Sequence, residues 1–207
     1  MKINDMPKLC SPFVRKEING KYVVIPEIAE GYEWVFNDDN VWVEEKLHGT
    51  NVSIIIENSR ISRIFNRTKE IDFWTSNKGD MAIIDGIRNA KSKGYCNFTD
   101  GQYFGELIGP KFFNKYHEEE HIWIPYEIMK DKNLYYKSWG KYPKDFETIS
   151  NWFKELMPLY NISKGYKDGF VEGVVFKHPD GRMAKLRCDM FDWYKGEGHK
   201  GGKQKDE

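Results

Sequence analysis

The sequence has no cysteine pair at metal-binding spacing, no apolar run long enough to cross a membrane and no excess of either charge. Its three cysteines, Cys10, Cys96 and Cys188, are odd in number and far apart, which argues against both a disulfide framework and a cysteine zinc site. Residues 1–19 contain no continuous apolar stretch of the kind a signal peptide needs, so the chain reads as soluble and intracellular, in the cytoplasm. Lysine plus arginine and aspartate plus glutamate each number 32. No global field therefore marks a nucleic-acid binder, and a surface for one has to be gathered locally. What remains is a 207-residue chain, 15% aromatic, which is long enough to bury a core and too aromatic to be disordered.

Runs rich in Val, Ile and aromatics at 21–25, 41–45, 52–57 and 61–65 read as strands. Between the second and third lies the polar break Lys46-Leu47-His48-Gly49-Thr50-Asn51. Helical spacing replaces alternation over 80–93, with Asp80 placed to cap the start and Gly94 the end. A second helix is expected over 145–160, burying Phe146, Ile149, Trp152, Phe153 and Leu156. Strands return at 102–108, 122–129, 170–177 and 182–187, the last two joined by an Asp-Gly turn into a hairpin. The Gly- and Lys-rich stretch 195–207 reads as a disordered tail. The fold class is α+β with antiparallel sheets flanked by helices.

Charged residues inside apolar strands carry the chemical signal, because a charge on a half-buried strand is costly unless paired or used. Glu106 shares a face with Phe104 and Ile108 by alternation, Glu172 opens an apolar strand, and Lys185 and Arg187, two apart, share one face. Any one of these is accounted for by ordinary cross-strand ion pairing, and a lysine in a turn, such as Lys46, is usually just solvated. Together they describe a nucleophilic lysine with two carboxylates and two cations. A free lysine with a pKa near ~10.4 is rarely unprotonated at neutral pH, so nearby cations or a metal are needed to activate it. The same cations stabilise charge on an attacked phosphorus.

The segment Glu45-Lys46-Leu47-His48-Gly49-Thr50-Asn51 resembles the lysine motif of the RNA ligase 2 branch of the covalent nucleotidyltransferases, whose DNA ligases and capping enzymes usually carry Asp where His48 stands. Phe104-Gly105-Glu106-Leu107-Ile108-Gly109 is similar to the family's third motif, Glu172-Gly173-Val174-Val175-Phe176-Lys177 to its fourth and Lys185-Leu186-Arg187 to its fifth. Asn66-Arg67-Thr68 resembles the arginine element that follows the lysine, and Tyr126 falls where an aromatic stacks on the base. The resemblance implies an ATP-grasp-like nucleotidyltransferase domain over residues 1–194; the basic tail at 195–207 follows it, and no OB or helical C-terminal domain of the family's pattern is expected in these 207 residues. By the same resemblance, Lys46 attacks the α-phosphate of ATP to form lysyl-AMP. AMP then passes to an RNA 5′-phosphate, and a 3′-hydroxyl displaces it. Glu106 would hold the ribose, Tyr126 the adenine, and Arg67 a phosphate or ribose. Glu172 would place Mg²⁺ (or Mn²⁺), Lys185 and Arg187 would grip the α-phosphate, and His48 and Asn51 would orient phosphates or metal waters. Magnesium suits such a site as a hard cation that bridges carboxylates and phosphates.

Two features depart from the pattern. Arg187 stands where this branch usually has lysine, and an arginine grips phosphate in a planar fork without losing its proton. The chain also stops soon after the fifth motif. It is thus a minimal ligase, or a partner supplies end recognition, or the sequence is a fragment. Other readings are a minimal DNA ligase, a non-catalytic RNA-end-binding module built on the lysine-rich tail and the aromatics, and a zinc hydrolase. The last rests on His117-Glu118-Glu119-Glu120-His121, which has the spelling of a zinc motif but runs from an acidic cluster into a strand instead of lying on a helix.

Overall fold

The computed structural model describes residues 3–112 and 115–196. Three antiparallel sheets organise them. A two-stranded ribbon pairs β1 (Phe13–Ile18) with β2 (Lys21–Ile28). A three-stranded sheet has the order β10-β9-β3, from Met183–Arg187, Gly173–Lys177 and Trp42–Glu45. A five-stranded sheet has the order β6-β5-β4-β7-β8, from Lys69–Glu70, Arg60–Asn66, Thr50–Glu57, Gly101–Ile108 and Ile122–Pro125. The α+β, antiparallel class expected from the sequence is the one found.

Two hydrophobic cores follow from these sheets. In one, Val43, Val174, Phe176, Ala184 and Leu186 of the three-stranded sheet meet α1 (Trp34–Asn37), the ribbon and the apolar stripe of α3 (Phe146–Lys154), namely Ile149, Trp152 and Phe153. In the other, Val52, Ile54, Ile64, Leu107 and Trp123 of the five-stranded sheet pack under α2 (Lys78–Ser92) through Ile83, Ile87 and Ala90. Both cores are built of aliphatic and aromatic side chains, whose burial is the main source of stability in a chain of this size.

Several boundaries differ from expectation for local reasons. The N-cap of α2 is Asn77, whose side chain accepts from the backbone N–H groups of Gly79 and Asp80, while Asp80 sits in the first turn and pairs with Lys69 at 2.8 Å. The single helix expected over 145–160 is two: α3 begins on its Asp145 cap, and α4 (Leu159–Ser163) starts anew after Pro158. Proline has no N–H to continue a helix but is tolerated at its start. The strand expected to reach 129 stops at Pro125 and turns through a 3₁₀ segment, Tyr126–Ile128. The ninth strand starts at Gly173, which leaves Glu172 just ahead of it. Most of the expected tail, residues 197–207, lies outside the described residues. No helix of the described residues is long and apolar enough to cross a membrane.

Candidate active site

The three-stranded sheet delivers the lysine. Past the end of β3 its ladder runs one step further, the Lys46 N–H donating to the Gly173 carbonyl at 2.9 Å. Gly173 is also the partner of Arg187 in register, and Val175 lies between Glu44 and Lys185. Alternation therefore brings Glu44, Lys46, Lys185 and Arg187 to one face, with Val43, Val174, Phe176 and Leu186 on the buried one. A side chain on Gly173, whose φ is +154°, would place its Cβ 2.2 Å from the Leu186 carbonyl oxygen, so the strand beside Lys46 is open only to glycine. Lys46 Nζ lies 2.6 Å from Glu172 Oε2, and His48 Nδ1 lies 3.6 Å from the same oxygen.

The five-stranded sheet answers with a hydrogen-bonded chain. Gly49 N–H donates to Glu106 Oε1 at 2.8 Å, the Tyr126 hydroxyl donates to Glu106 Oε2 at 2.6 Å, and Asn51 Nδ2 donates to the Tyr126 hydroxyl oxygen at 3.0 Å. Gly49 approaches so closely that a Cβ there would fall 2.0 Å from the Leu107 carbonyl oxygen. Asn51 and Glu106 face each other across β4 and β7. Arg67, at the tip of the β5–β6 hairpin with φ +57°, points its Nε to within 3.7 Å of Asp5 Oδ2.

Between the two walls is a cleft of about 210 Å³ lined by Lys46, Asn51, Arg67, Glu106, Tyr126 and Lys185, among others. Six of the nine residues singled out in the sequence thus line one space, Glu172 adjoins it through Lys46, and His48 lies beside Glu172. Arg187 lies on the same face, but its Nε sits 2.9 Å from Asp189 Oδ1, so a grip on phosphate means sharing that pair. Burial pushes the Lys185 ammonium below its ordinary pKa, helped by the charges of Lys46 and Arg187. Burial pushes Glu106 upward, against the pull of Lys46 and of the Tyr126 hydroxyl.

Three residues not singled out as site residues belong here. Lys177 bonds Glu44 at 2.6 Å and the Tyr126 carbonyl at 3.2 Å, tying the three-stranded sheet to the turn that carries Tyr126. Its alternation with Val175 was the signal that could have found it. Glu45 points the other way from Lys46, into the protein, where Oε2 accepts from the Tyr160 N–H at 2.7 Å and Oε1 has no hydrogen-bond partner among the described residues; burial raises its pKa to about 8. Tyr116 accepts from the His48 N–H at 2.6 Å, and no sequence signal pointed to it.

The zinc-motif segment makes no such site. It is not helical: His117 has φ +52° and stacks on Tyr166 at 4.1 Å, and His121 Nε2 accepts from the Lys111 N–H at 3.2 Å. Among the described residues no group of three His, Cys, Asp or Glu is placed to hold a metal. The donors whose chemistry suits a magnesium ion are the Glu172 carboxylate beside Lys46 and the Asn51 side-chain oxygen, a buried acceptor with no hydrogen-bond partner among the described residues. Magnesium commonly takes one or two protein ligands and completes its shell from phosphates and water, so a sparse set is compatible with it.

A family model described as RNA ligase matches residues 39–195. Among solved structures, a mutant of Naegleria gruberi RNA ligase with ATP and Mn superposes with a TM-score of 0.50 and 16% identity, over 86% of this chain and 59% of that one. Naegleria gruberi RNA ligase with PPi aligns at a TM-score of 0.46 and 17% identity, over 75% of this chain and 52% of that one. Among curated proteins, a probable tRNA pseudouridine synthase D 1 of Methanococcus maripaludis is 26% identical over 200 residues, 87% of this chain and 48% of that protein. The chain therefore spans about half to three fifths of the length of these proteins.

Proposed function

This chain belongs to the RNA ligase family, and on that footing we propose that it is an ATP-dependent RNA ligase acting through a lysyl-AMP intermediate on Lys46. The observation that carries this reading is the environment of one amine: Lys46 Nζ stands 2.6 Å from Glu172 in a cleft with Lys185 on its own wall and the Glu106–Tyr126–Asn51 chain on the other.

In the first step Lys46, once its ammonium has lost a proton, attacks the α-phosphorus of ATP. An N–P bond forms, the bond from the α-phosphorus to the bridging oxygen breaks, and pyrophosphate leaves with the electron pair. Glu172 is within hydrogen-bond reach of Nζ and so is suited to receive the proton. Lys185 stabilises the charge that builds on the α-phosphate oxygens, and Arg187 assists if it shares its pair with Asp189. Tyr126 stacks on adenine, Glu106 binds the ribose, Arg67 contacts phosphate or ribose, and His48 and Asn51 orient the phosphates. Glu172 and Asn51 would hold magnesium or manganese, which when bound neutralises phosphate charge. The Naegleria relative was solved with ATP and Mn, the pair proposed for this chain. The AMP then passes to an RNA 5′-phosphate, and attack by a 3′-hydroxyl joins the ends and releases AMP.

The test is incubation of the purified protein with magnesium and ATP labelled on the α-phosphate. Label is expected to stay on the denatured chain, to be removed by added pyrophosphate and to be absent from Lys46→Ala. An adduct that persists in Lys46→Ala sinks the assignment of the nucleophile. No label from folded native protein freed of bound AMP, with ATP or with GTP, sinks the enzyme and leaves an RNA-end-binding module.

A further inference from the structure

The N-terminal segment lines the cleft as a strap tied down at both ends. At one end Gln102 on β7 grips the backbone of Asn4 twice, its side-chain oxygen accepting from the Asn4 N–H at 3.0 Å and its amide donating to the Asn4 carbonyl at 2.8 Å. At the other end the Cys10 carbonyl accepts from the Lys185 N–H at 2.9 Å on β10. Six residues of chain reach at most about 20 Å, so the strap spans directly from the five-stranded to the three-stranded sheet. Met6, Pro7, Lys8 and Leu9 between these ties all line the cleft.

The cations lining that cleft divide into two groups. Lys46, Lys177 and Arg67 each have a carboxylate within ion-pair distance, at 2.6, 2.6 and 3.7 Å. Among the described residues Lys8 and Lys185 have none. Lys185 is half-buried on the wall beside Lys46, whereas Lys8 is exposed on the strap at the rim. A triphosphate entering with its α-phosphorus at Lys46 brings most of its charge on the β- and γ-phosphates, which have to trail toward solvent for pyrophosphate to leave. A lysine at the rim with no carboxylate to give up is suited to that charge, since no existing ion pair has to be broken first.

We propose that the strap is part of the nucleotide site and that Lys8 binds the β- and γ-phosphates of ATP, and hence the departing pyrophosphate. Its ammonium holds the negative charge left on the bridging oxygen when the bond to the α-phosphorus breaks. Asp5 keeps Arg67 ordered until a phosphate or ribose takes its place. This inference rests on the lysyl-AMP reading above, and it predicts an effect confined to the step in which pyrophosphate is made or consumed.

The experiment uses the full chain and three measurements on Lys8→Ala and Lys8→Arg. These are the rate of adduct labelling against ATP concentration, loss of label from the preformed adduct against inorganic pyrophosphate concentration, and joining of RNA supplied already adenylylated. For Lys8→Ala the expected result is a rise of about tenfold in both the ATP and the pyrophosphate concentrations giving half-maximal rate. Lys8→Arg should restore both, and joining of adenylylated RNA should be unchanged. Unchanged or lower half-maximal concentrations in Lys8→Ala would overturn the proposal, the lower values meaning that the strap obstructs the triphosphate. An equal loss in joining of adenylylated RNA would also overturn it, because the strap would then be structural. Failure of the underlying reading is distinguishable, since the native chain itself would take no label.

Discussion

The wall of the cleft made by the three-stranded sheet and the wall made by the five-stranded sheet differ in how they hold charge. The first carries Lys46, Lys185, Arg187 and Lys177 on one face, and three of these four stand beside a carboxylate at 2.6 to 2.9 Å. The second is a hydrogen-bonded chain in which one buried carboxyl, Glu106, accepts from a backbone N–H and a hydroxyl. Concentrated cations suit the stabilisation of a changing phosphate charge, whereas a fixed chain of donors and acceptors suits the placement of a group that does not react. The two tasks need different stiffness. A buried network with its partners in place is rigid, while ion pairs can exchange partners when an anion arrives.

This contrast can be broken or sharpened by substitution. The largest effect is expected from the cationic wall. Lys185→Ala should slow adduct formation by about 100-fold, the cost of removing one preorganised donor from a developing charge. Rapid quench of labelled adduct at saturating ATP measures it, and an unchanged rate would take Lys185 out of the chemistry.

Next in size is the carboxyl of Glu45, the neighbour of Lys46. The Glu45 pKa of about 8 lies above its ordinary carboxylate value because of burial. The folded state therefore keeps a proton that the unfolded chain loses, and stability falls as pH rises from about 5 to 8, then levels off. Glu45→Gln keeps an acceptor for the Tyr160 N–H and should remove that contribution, so that its stability falls less between pH 5 and pH 8 than that of the native chain. Urea unfolding across that range checks it, and parallel slopes in the two proteins would mean that Glu45 does not titrate there.

The smallest effect belongs to the placing wall. Tyr126→Phe removes one hydrogen bond to Glu106 while keeping the ring for stacking, and should raise the ATP concentration for half-maximal labelling by about fivefold with little change in maximal rate. A fall in maximal rate as large as that of Lys185→Ala would erase the distinction between the walls.

The candidate site was more legible in the sequence than the element boundaries. Glu106, Glu172, Lys185 and Arg187 stood out because charge in an apolar alternating strand is expensive and so carries information, and Lys46 stood out only in their company and by its motif. Boundaries failed where single residues overruled periodicity. Pro158 split a helix whose apolar spacing ran on past it, and Pro125 ended a strand although Tyr126 and Ile128 carry the alternation beyond it. β1 went unnoticed because its charged residues, Arg15, Lys16 and Glu17, hide the alternation of an edge ribbon. Tyr116 and Glu45 were invisible as site residues because each acts across a long sequence separation, through His48 and Tyr160 respectively.

By itself the sequence determined the antiparallel α+β class and the set of charged strand residues, because alternation and the cost of burying charge are local properties. Tertiary structure alone decided which of those charges are already paired. It turned Arg187 to Asp189, set Lys177 between Glu44 and Tyr126, and laid residues 4–10 across the cleft with Lys8 at its rim. Pairing depends on which distant segments meet at hydrogen-bond distance, and periodicity along the chain carries no record of that.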